Sequence, residues 1–340
     1  MSAADDVTID AHRPVLLLLA GQGAQRPGMG VGLYDVEPTF TAAVDELFAL
    51  MGTEGRRVRS DWLSAEPAVS IDDASRAQPL LFAMNYALGL TLAARGVRPG
   101  LLLGHSIGEL AAACLAGVFD LRHAAGILLA RSEAMAQTPP GGMLAVASSP
   151  AELGGLLGAA LDQAGDAGEV VIAAHNAPRQ TVLAGPDLPL ERVRRRLVDA
   201  GVICRPVPAR QPFHSPAAGS AVPILAGALA QQALRPPRTP IQSTRTGVGV
   251  TPGEAIRPEF WAEQIAAPVL FWPALDRALN QAEWTLVAAG PAGELAVVAR
   301  RHPAVRAGRT VIAHVPVPGP GESAEHWDRA VQALAQRTAA

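Results

Sequence analysis

Apolar positions along this chain follow two rhythms that alternate. Residues 14–20 (PVLLLLA) form a short continuous apolar run that stops at the turn signal GQG, which predicts a buried strand from Pro14 to Ala20. A second such run, Leu101 to Leu103, leads directly into GHSIGELAAACLAG (104–117). Between them, 38–51 and 78–95 carry apolar residues at helical spacing. Strand and helix in alternation predict an α/β unit with a parallel sheet.

From 143 onward the order changes. Met143–Ala147 reads as a strand, Pro150–Asp162 as a helix, Glu169–Ala174 and Gln180–Ala184 as strands, Leu190–Ala200 as a helix stopped by Gly201, and Val202–Val207 as a strand. Strand, helix, strand, strand, helix, strand is the ferredoxin-like order. The expected organisation is therefore a large α/β domain made of 1–142 and 209–315, with a small ferredoxin-like subdomain, 143–208, inserted into it. A helix is expected over 220–233. PVPGPGES (316–323) reads as a linker, and Ser323 caps a last helix whose Trp327, Val331 and Leu334 share one face, so 316–340 is a linker and C-terminal helix.

Composition narrows the function classes. The 340 residues are 49% hydrophobic and 17% charged, which is enough apolar surface for a sizeable core. A formal net charge of −3 argues against a nucleic-acid partner, which calls for a basic stripe. Two distant cysteines, Cys114 and Cys204, suggest neither a disulfide framework nor a metal site. The apolar run Val15–Leu19 is too short for a secretory signal and is flanked by Asp5, Asp6 and Asp10, and no stretch approaches the ~18 apolar residues of a membrane span. The expectation is a soluble cytoplasmic protein with no membrane partner and no bound cofactor.

The chemistry begins at GHSIG. After Ser106, residues Ile107, Leu110, Ala111, Cys114 and Leu115 fall on one helix face, so a strand meets a helix at the serine. Such a turn between small residues holds a serine oxygen at the top of a sheet with backbone N–H groups behind it, the geometry of a nucleophile attacking an ester or thioester. A plain helix-capping serine has the same local sequence. A nucleophile needs a base, and of the eight histidines His214, in RQPFHSP (210–216), sits where the chain re-enters the large domain; a surface-loop histidine is the alternative. Arg131 lies four residues after Ile127 and four before Met135, on the apolar side of its helix. Its buried guanidinium needs an anion, either an internal carboxylate or a substrate carboxylate held by the guanidinium fork. GQGAQ (21–25) lacks the pattern of a phosphate loop, and Gln22 offers a neutral donor at a strand end.

Taken together, GQGAQ, RAQPLLFA, GHSIGE, Arg131 at 25 residues after Ser106, AHNAPRQTVLAG, PFHSP and STRTG resemble, in order and spacing, the malonyl-CoA:acyl carrier protein transacylases, including the acyltransferase domains of polyketide synthases. The resemblance spans roughly residues 14–300, is closest to the polyketide branch, and suggests a discrete, trans-acting form. It implies an α/β-hydrolase-like large domain. Ser106 would take an acyl group from a coenzyme A thioester, and His214 would take its proton and later activate the phosphopantetheine thiol of an acyl carrier protein. The backbone N–H of Ile107 and Gln22 would hold the oxyanion, and a main-chain carbonyl near Ala267 would orient the histidine. Arg131 would bind a malonyl carboxylate, with His105, Gln78 and Asn176 lining the site. Ile107 and Phe213 resemble malonyl-selecting members. Ala217 and Ala218 replace a common Leu-Met pair, which predicts room for a larger group. Competing expectations are transfer of a larger or aminoacyl-type group between two carriers, hydrolysis of acyl-carrier thioesters, and a non-catalytic carrier-binding module.

Overall fold

The computed structural model describes residues 13–155 and 169–338. Strand β1 (Val15–Leu19) is buried along its whole length, as an apolar run must be when helices cover both faces of a parallel sheet. It pairs in parallel with β2 (Pro99–Gly104) on one side and β8 (Thr285–Ala289) on the other, and the large sheet runs β7-β2-β1-β8-β9, with β7 at Ile241–Gln242 and β9 at Val311–Val315. Around it pack α1 (Pro38–Leu50), α2 (Gly52–Leu63), α3 (Ala74–Ala94), α4 (Ile107–Leu115) and α5 (Leu121–Ala136).

Two of these differ from expectation. Helix α2 is not legible in sequence, because Val58 and Trp62 are the only large apolar residues it buries. Helix α3 begins four residues earlier than its periodicity suggests: the Asp73 carboxylate accepts from Ser75 N–H at 2.9 Å and caps a polar first turn. At 21 residues α3 is also long and apolar enough to cross a membrane, contrary to the sequence reading. Its apolar window is 78% buried inside the protein, which makes it the central core helix.

The second sheet is antiparallel in the order β4-β5-β3-β6, from β3 (Gly141–Val146), β4 (Val171–Ala177), β5 (Gln180–Pro186) and β6 (Cys204–Val207). That is the ferredoxin-like order. Leu144, Val146, Leu183, Val193 and Leu197 form its own small core with α6 (Asp187–Asp199). Residues 150–155 are helical, and the rest of the helix expected at 150–162 lies outside the described residues. Edge strand β4 is tied to the large unit by backbone: His175 N–H donates to Val269 C=O and Val269 N–H to Ala173 C=O, both at 2.9 Å.

Downstream, α7 (Ala221–Leu229), α8 (Phe271–Gln281) and α9 (Gly293–Ala299) complete the large unit. Residues 316–323 lie against it, with Gly32 N–H donating to Pro318 C=O at 3.1 Å. The last helix, α10 (Glu325–Thr338), starts where the Ser323 hydroxyl accepts from Glu325 N–H, and it buries Trp327, Val331 and Leu334 in the large core.

Candidate active site

Strand β2 ends at Gly104 and α4 begins at Ile107, so only His105 and Ser106 make the turn. A connection that short forces Ser106 into a sparsely populated conformation, φ 53° and ψ −117°. The flanking glycines are steric necessities. A Cβ on Gly104 would come within 2.3 Å of the Gly108 carbonyl oxygen, and one on Gly108 within 2.4 Å of the Leu19 carbonyl oxygen. Both obstacles are main chain and neither can swing aside. Gly108→Ala is expected to push α4 off β1 and lower stability by about 1–3 kcal/mol, read as a lower denaturant midpoint at unchanged slope; an unchanged midpoint would mean that the helix can yield here at no cost.

Ser106 makes no capping bond to its own helix. Its Oγ instead lies 2.7 Å from His214 Nε2. His214 Nδ1 faces two carbonyl oxygens, of Gln264 and Ala267, each at 3.0 Å. Carbonyls only accept, so the proton sits on Nδ1, and Nε2 presents its lone pair to the serine hydroxyl. Main-chain oxygens stand where an acid would in a three-residue relay. The sequence predicts a serine at an exposed sheet top, yet Ser106 and His214 are only 7% and 4% exposed, because the small sheet covers them.

Burial sets the electrostatics. Loss of solvation, then the Arg131 charge and His105, push His214 down to about 3, so the imidazole is neutral at pH 7. Burial likewise lowers His105, whose Nε2 pairs with Asn176 Oδ1 at 2.9 Å.

Arg131 is 1% exposed, and burial lowers it to about 10. Its Nε donates to Gln78 Oε1 at 2.6 Å, and both terminal nitrogens are buried without a partner among the described residues. Among the described residues, no internal carboxylate meets any of the three guanidinium nitrogens. Gln78 passes the orientation on. Its oxygen is committed to Arg131, so its Nε2 donates to Gln22 Oε1 at 3.0 Å, which leaves Gln22 Nε2 buried and unpartnered. Gln22 lines the cavity at Ser106, and Ile107 opens α4, so its N–H belongs to the unsatisfied first turn. Gln22 and Ser106 thus line the same cavity, and Ile107 follows the serine in sequence.

The cavity at Ser106 measures about 270 Å³. A family model, acyl transferase domain, matches residues 17–308. The chain belongs to the acyl transferase domain family. One of the phenolphthiocerol/phthiocerol polyketide synthase proteins of Mycobacterium tuberculosis is 38% identical over 290 residues, covering 85% of this chain and 19% of that protein. The spectinabilin polyketide synthase system protein NorB of Streptomyces orinoci is 33% identical over 288 residues, covering 83% and 13%. This acyl transferase thus spans about a fifth or less of these relatives. Among solved structures, the acyltransferase domain from the second module of the salinomycin polyketide synthase superposes with a TM-score of 0.82 at 31% identity, covering 95% of this chain and 74% of that one. A loading acyltransferase from the avermectin modular polyketide synthase gives 0.81 at 28% identity, covering 94% and 99%.

Several walls of the acyl transferase cavity are not legible in sequence. Met143 and Ala145 of β3, Val182 of β5, Val207 of β6 and Ala209 just beyond it line the cavity from the small sheet, while Leu144 and Val146 face the small core. The signal is period-two alternation, too short in each strand to say which face meets the serine. Phe271, Leu295 and Val298 close the other side, beside the expected Phe213. Ala217 and Ala218 do not line it, and neither do Ile107, Arg131 and Gln78, the last of which joins Arg131 to the lining residue Gln22. Pro216 starts a single 3-10 turn after His214, and Ala218 packs into the large core instead, so the room expected from these alanines does not open onto the serine.

Proposed function

We propose that this acyl transferase carries a malonyl-type group from a coenzyme A thioester, through an ester on Ser106, to the phosphopantetheine thiol of an acyl carrier protein in polyketide assembly. The observation that carries the reading is Arg131: a buried guanidinium with its two terminal nitrogens unpartnered calls for a carboxylate that arrives with the ligand. Its charge is close enough to His214 to depress that imidazole.

In the first half-reaction Ser106 Oγ attacks the thioester carbonyl as its proton passes to His214 Nε2. The oxygen that gains charge accepts from Gln22 Nε2–H and Ile107 N–H. Collapse expels the coenzyme A sulfur, which takes the proton from His214. In the second half the carrier thiol gives its proton to His214, its sulfur attacks the ester, and Ser106 recovers the proton on release. Gln264 and Ala267 carbonyls stabilise the transient imidazolium. These steps use side chains and main-chain groups of this chain, with the acyl carrier protein as acceptor.

An aminoacyl group would bring an ammonium toward Arg131, which disfavours that alternative. Burial of Ser106 under an apolar cover limits water and favours transfer over hydrolysis. The retained Ser106–His214 bond speaks against a binding-only module.

The test is intact mass after mixing with malonyl-, methylmalonyl- and acetyl-coenzyme A, followed by free acyl carrier protein. A malonyl adduct that moves to the carrier is expected; no adduct from any of the three would reject the reading. The neutral imidazole is the working form and persists down to about pH 3. Acylation should therefore be flat from about pH 5 to 8, lacking the limb near 6.5 of an ordinary histidine. The unfolded chain regains that ordinary value, so it takes up a proton that the fold refuses, and stability should fall as pH drops from about 6.5 toward 3. A rate limb near 6.5 in single-turnover measurements would contradict a neutral, desolvated imidazole.

A further inference from the structure

The glutamate that closes the GHSIGE motif has no part in the steps above. Glu109 stands in the first turn of α4, three residues after Ser106, and is 1% exposed. No cation pairs with it among its described contacts. Its Oε2 instead accepts from Thr244 N–H and from Gln264 Nε2–H, each at 3.1 Å, and lies 2.6 Å from Thr244 Oγ, which also reaches Gly104 C=O at 3.0 Å. A carboxyl group buried at this depth is costly unless it is well bonded, and burial raises its affinity for a proton.

The bond from Gln264 is informative. Gln264 is the residue whose main-chain oxygen holds His214 Nδ1, and its side-chain oxygen is buried without a partner, so Glu109 makes the hydrogen bond that anchors the Gln264 side chain. Glu109 is carried by the helix that begins at the nucleophile. Gln264 belongs to the segment that orients the base. One carboxyl group thus fixes the distance between two elements that are 155 residues apart in sequence.

We propose that Glu109 is a positioning residue: through Gln264 it sets the direction of His214 toward Ser106. It is not among the residues that line the cavity at Ser106, and its Oε2 is engaged by Thr244 and Gln264. The second acceptor, Ala267 C=O, has a separate anchor in the backbone bonds between Val269 and β4, so losing Glu109 loosens the imidazole without freeing it. The effect is a partial loss of rate, not a complete one.

The inference rests on the Ser106–His214 reading, and two measurements on the full chain separate them. The first is the single-turnover rate of malonyl-serine formation, with its donor KM. The second is the low-field proton resonance of His214 Nδ1–H, which needs no turnover. For Glu109→Ala the expected results are a rate about 10- to 100-fold lower at unchanged KM, as for a misplaced catalytic group, and a shifted or broadened resonance. Glu109→Gln keeps an accepting oxygen and should restore most of the rate. Gln264→Ala keeps the carbonyl but loses the amide. It should reproduce the Glu109→Ala loss, and the double variant should be no worse than either single one.

A folded Glu109→Ala protein with the normal rate and resonance overturns the proposal, as does an additive double variant. Equal losses in Glu109→Gln and Glu109→Ala also overturn it, because charge and not hydrogen bonding would then be at work. If Glu109→Ala does not fold, Gln264→Ala decides alone. If the unaltered protein forms no adduct, the catalytic reading has failed, and the resonance still decides whether Glu109 positions the imidazole.

Discussion

Ser106→Ala leaves no acyl adduct on the protein with any coenzyme A ester, and transfer to the carrier falls by about 10⁴-fold or more, the scale seen when a nucleophile is removed from a unit that works together. The physical ground is the 2.7 Å contact of its Oγ with His214 Nε2 and the tautomer fixed by two carbonyls. On the proposed mechanism the pair works as one unit, so His214→Ala should cost nearly as much, and the double variant little more. The unusual backbone at Ser106 adds a second readout. Alanine is no better suited to φ 53° than serine, so the variant should melt close to the parent, and thermal unfolding separates lost chemistry from lost fold. An adduct of unchanged mass in Ser106→Ala would place the acyl group on another residue and end the serine mechanism.

Arg131→Leu is the second large effect, and its direction is specific to the substrate. Truncating one partner of a buried charge pair costs about 2–5 kcal/mol, so the rate with malonyl-coenzyme A should drop by about 30- to 5,000-fold. Acetyl- and propionyl-coenzyme A carry no carboxylate and should lose little or gain. The ratio between donor classes therefore inverts, which mere damage to the fold would not produce. Stability supplies the cross-check. A guanidinium buried with two unpartnered nitrogens is a cost to the empty protein, so leucine should leave the melting temperature unchanged or raise it. An equal loss for all donors would mean that Arg131 holds Gln78 and Gln22 in place and not the substrate.

Local chemistry makes much of the site legible. The serine is marked by a strand running into a helix between two glycines, and the histidine by its place where the chain leaves the small unit. Both stand as expected within hydrogen-bond reach. Gln264 carries no such mark, because its contribution is a carbonyl oxygen that every residue possesses. Glu109 belongs to the GHSIGE motif, yet its task is hidden there, since its partners Thr244 and Gln264 lie 135 and 155 residues away. Ala217 and Ala218 mislead, because the number of residues after His214 does not reveal that Pro216 turns the chain into the core.

The parallel sheet, the ferredoxin-like unit, the serine elbow and the burial of Arg131 are legible in the chain, because each follows from periodicity or sterics within a few residues. The cover over the serine, the absence of an acid beside Arg131 among the described residues, and the direction of the Gln78 and Gln22 amides come from the folded chain alone. Those outcomes depend on groups brought together from distant segments, where one committed donor fixes the next group along, and no local rhythm encodes that order.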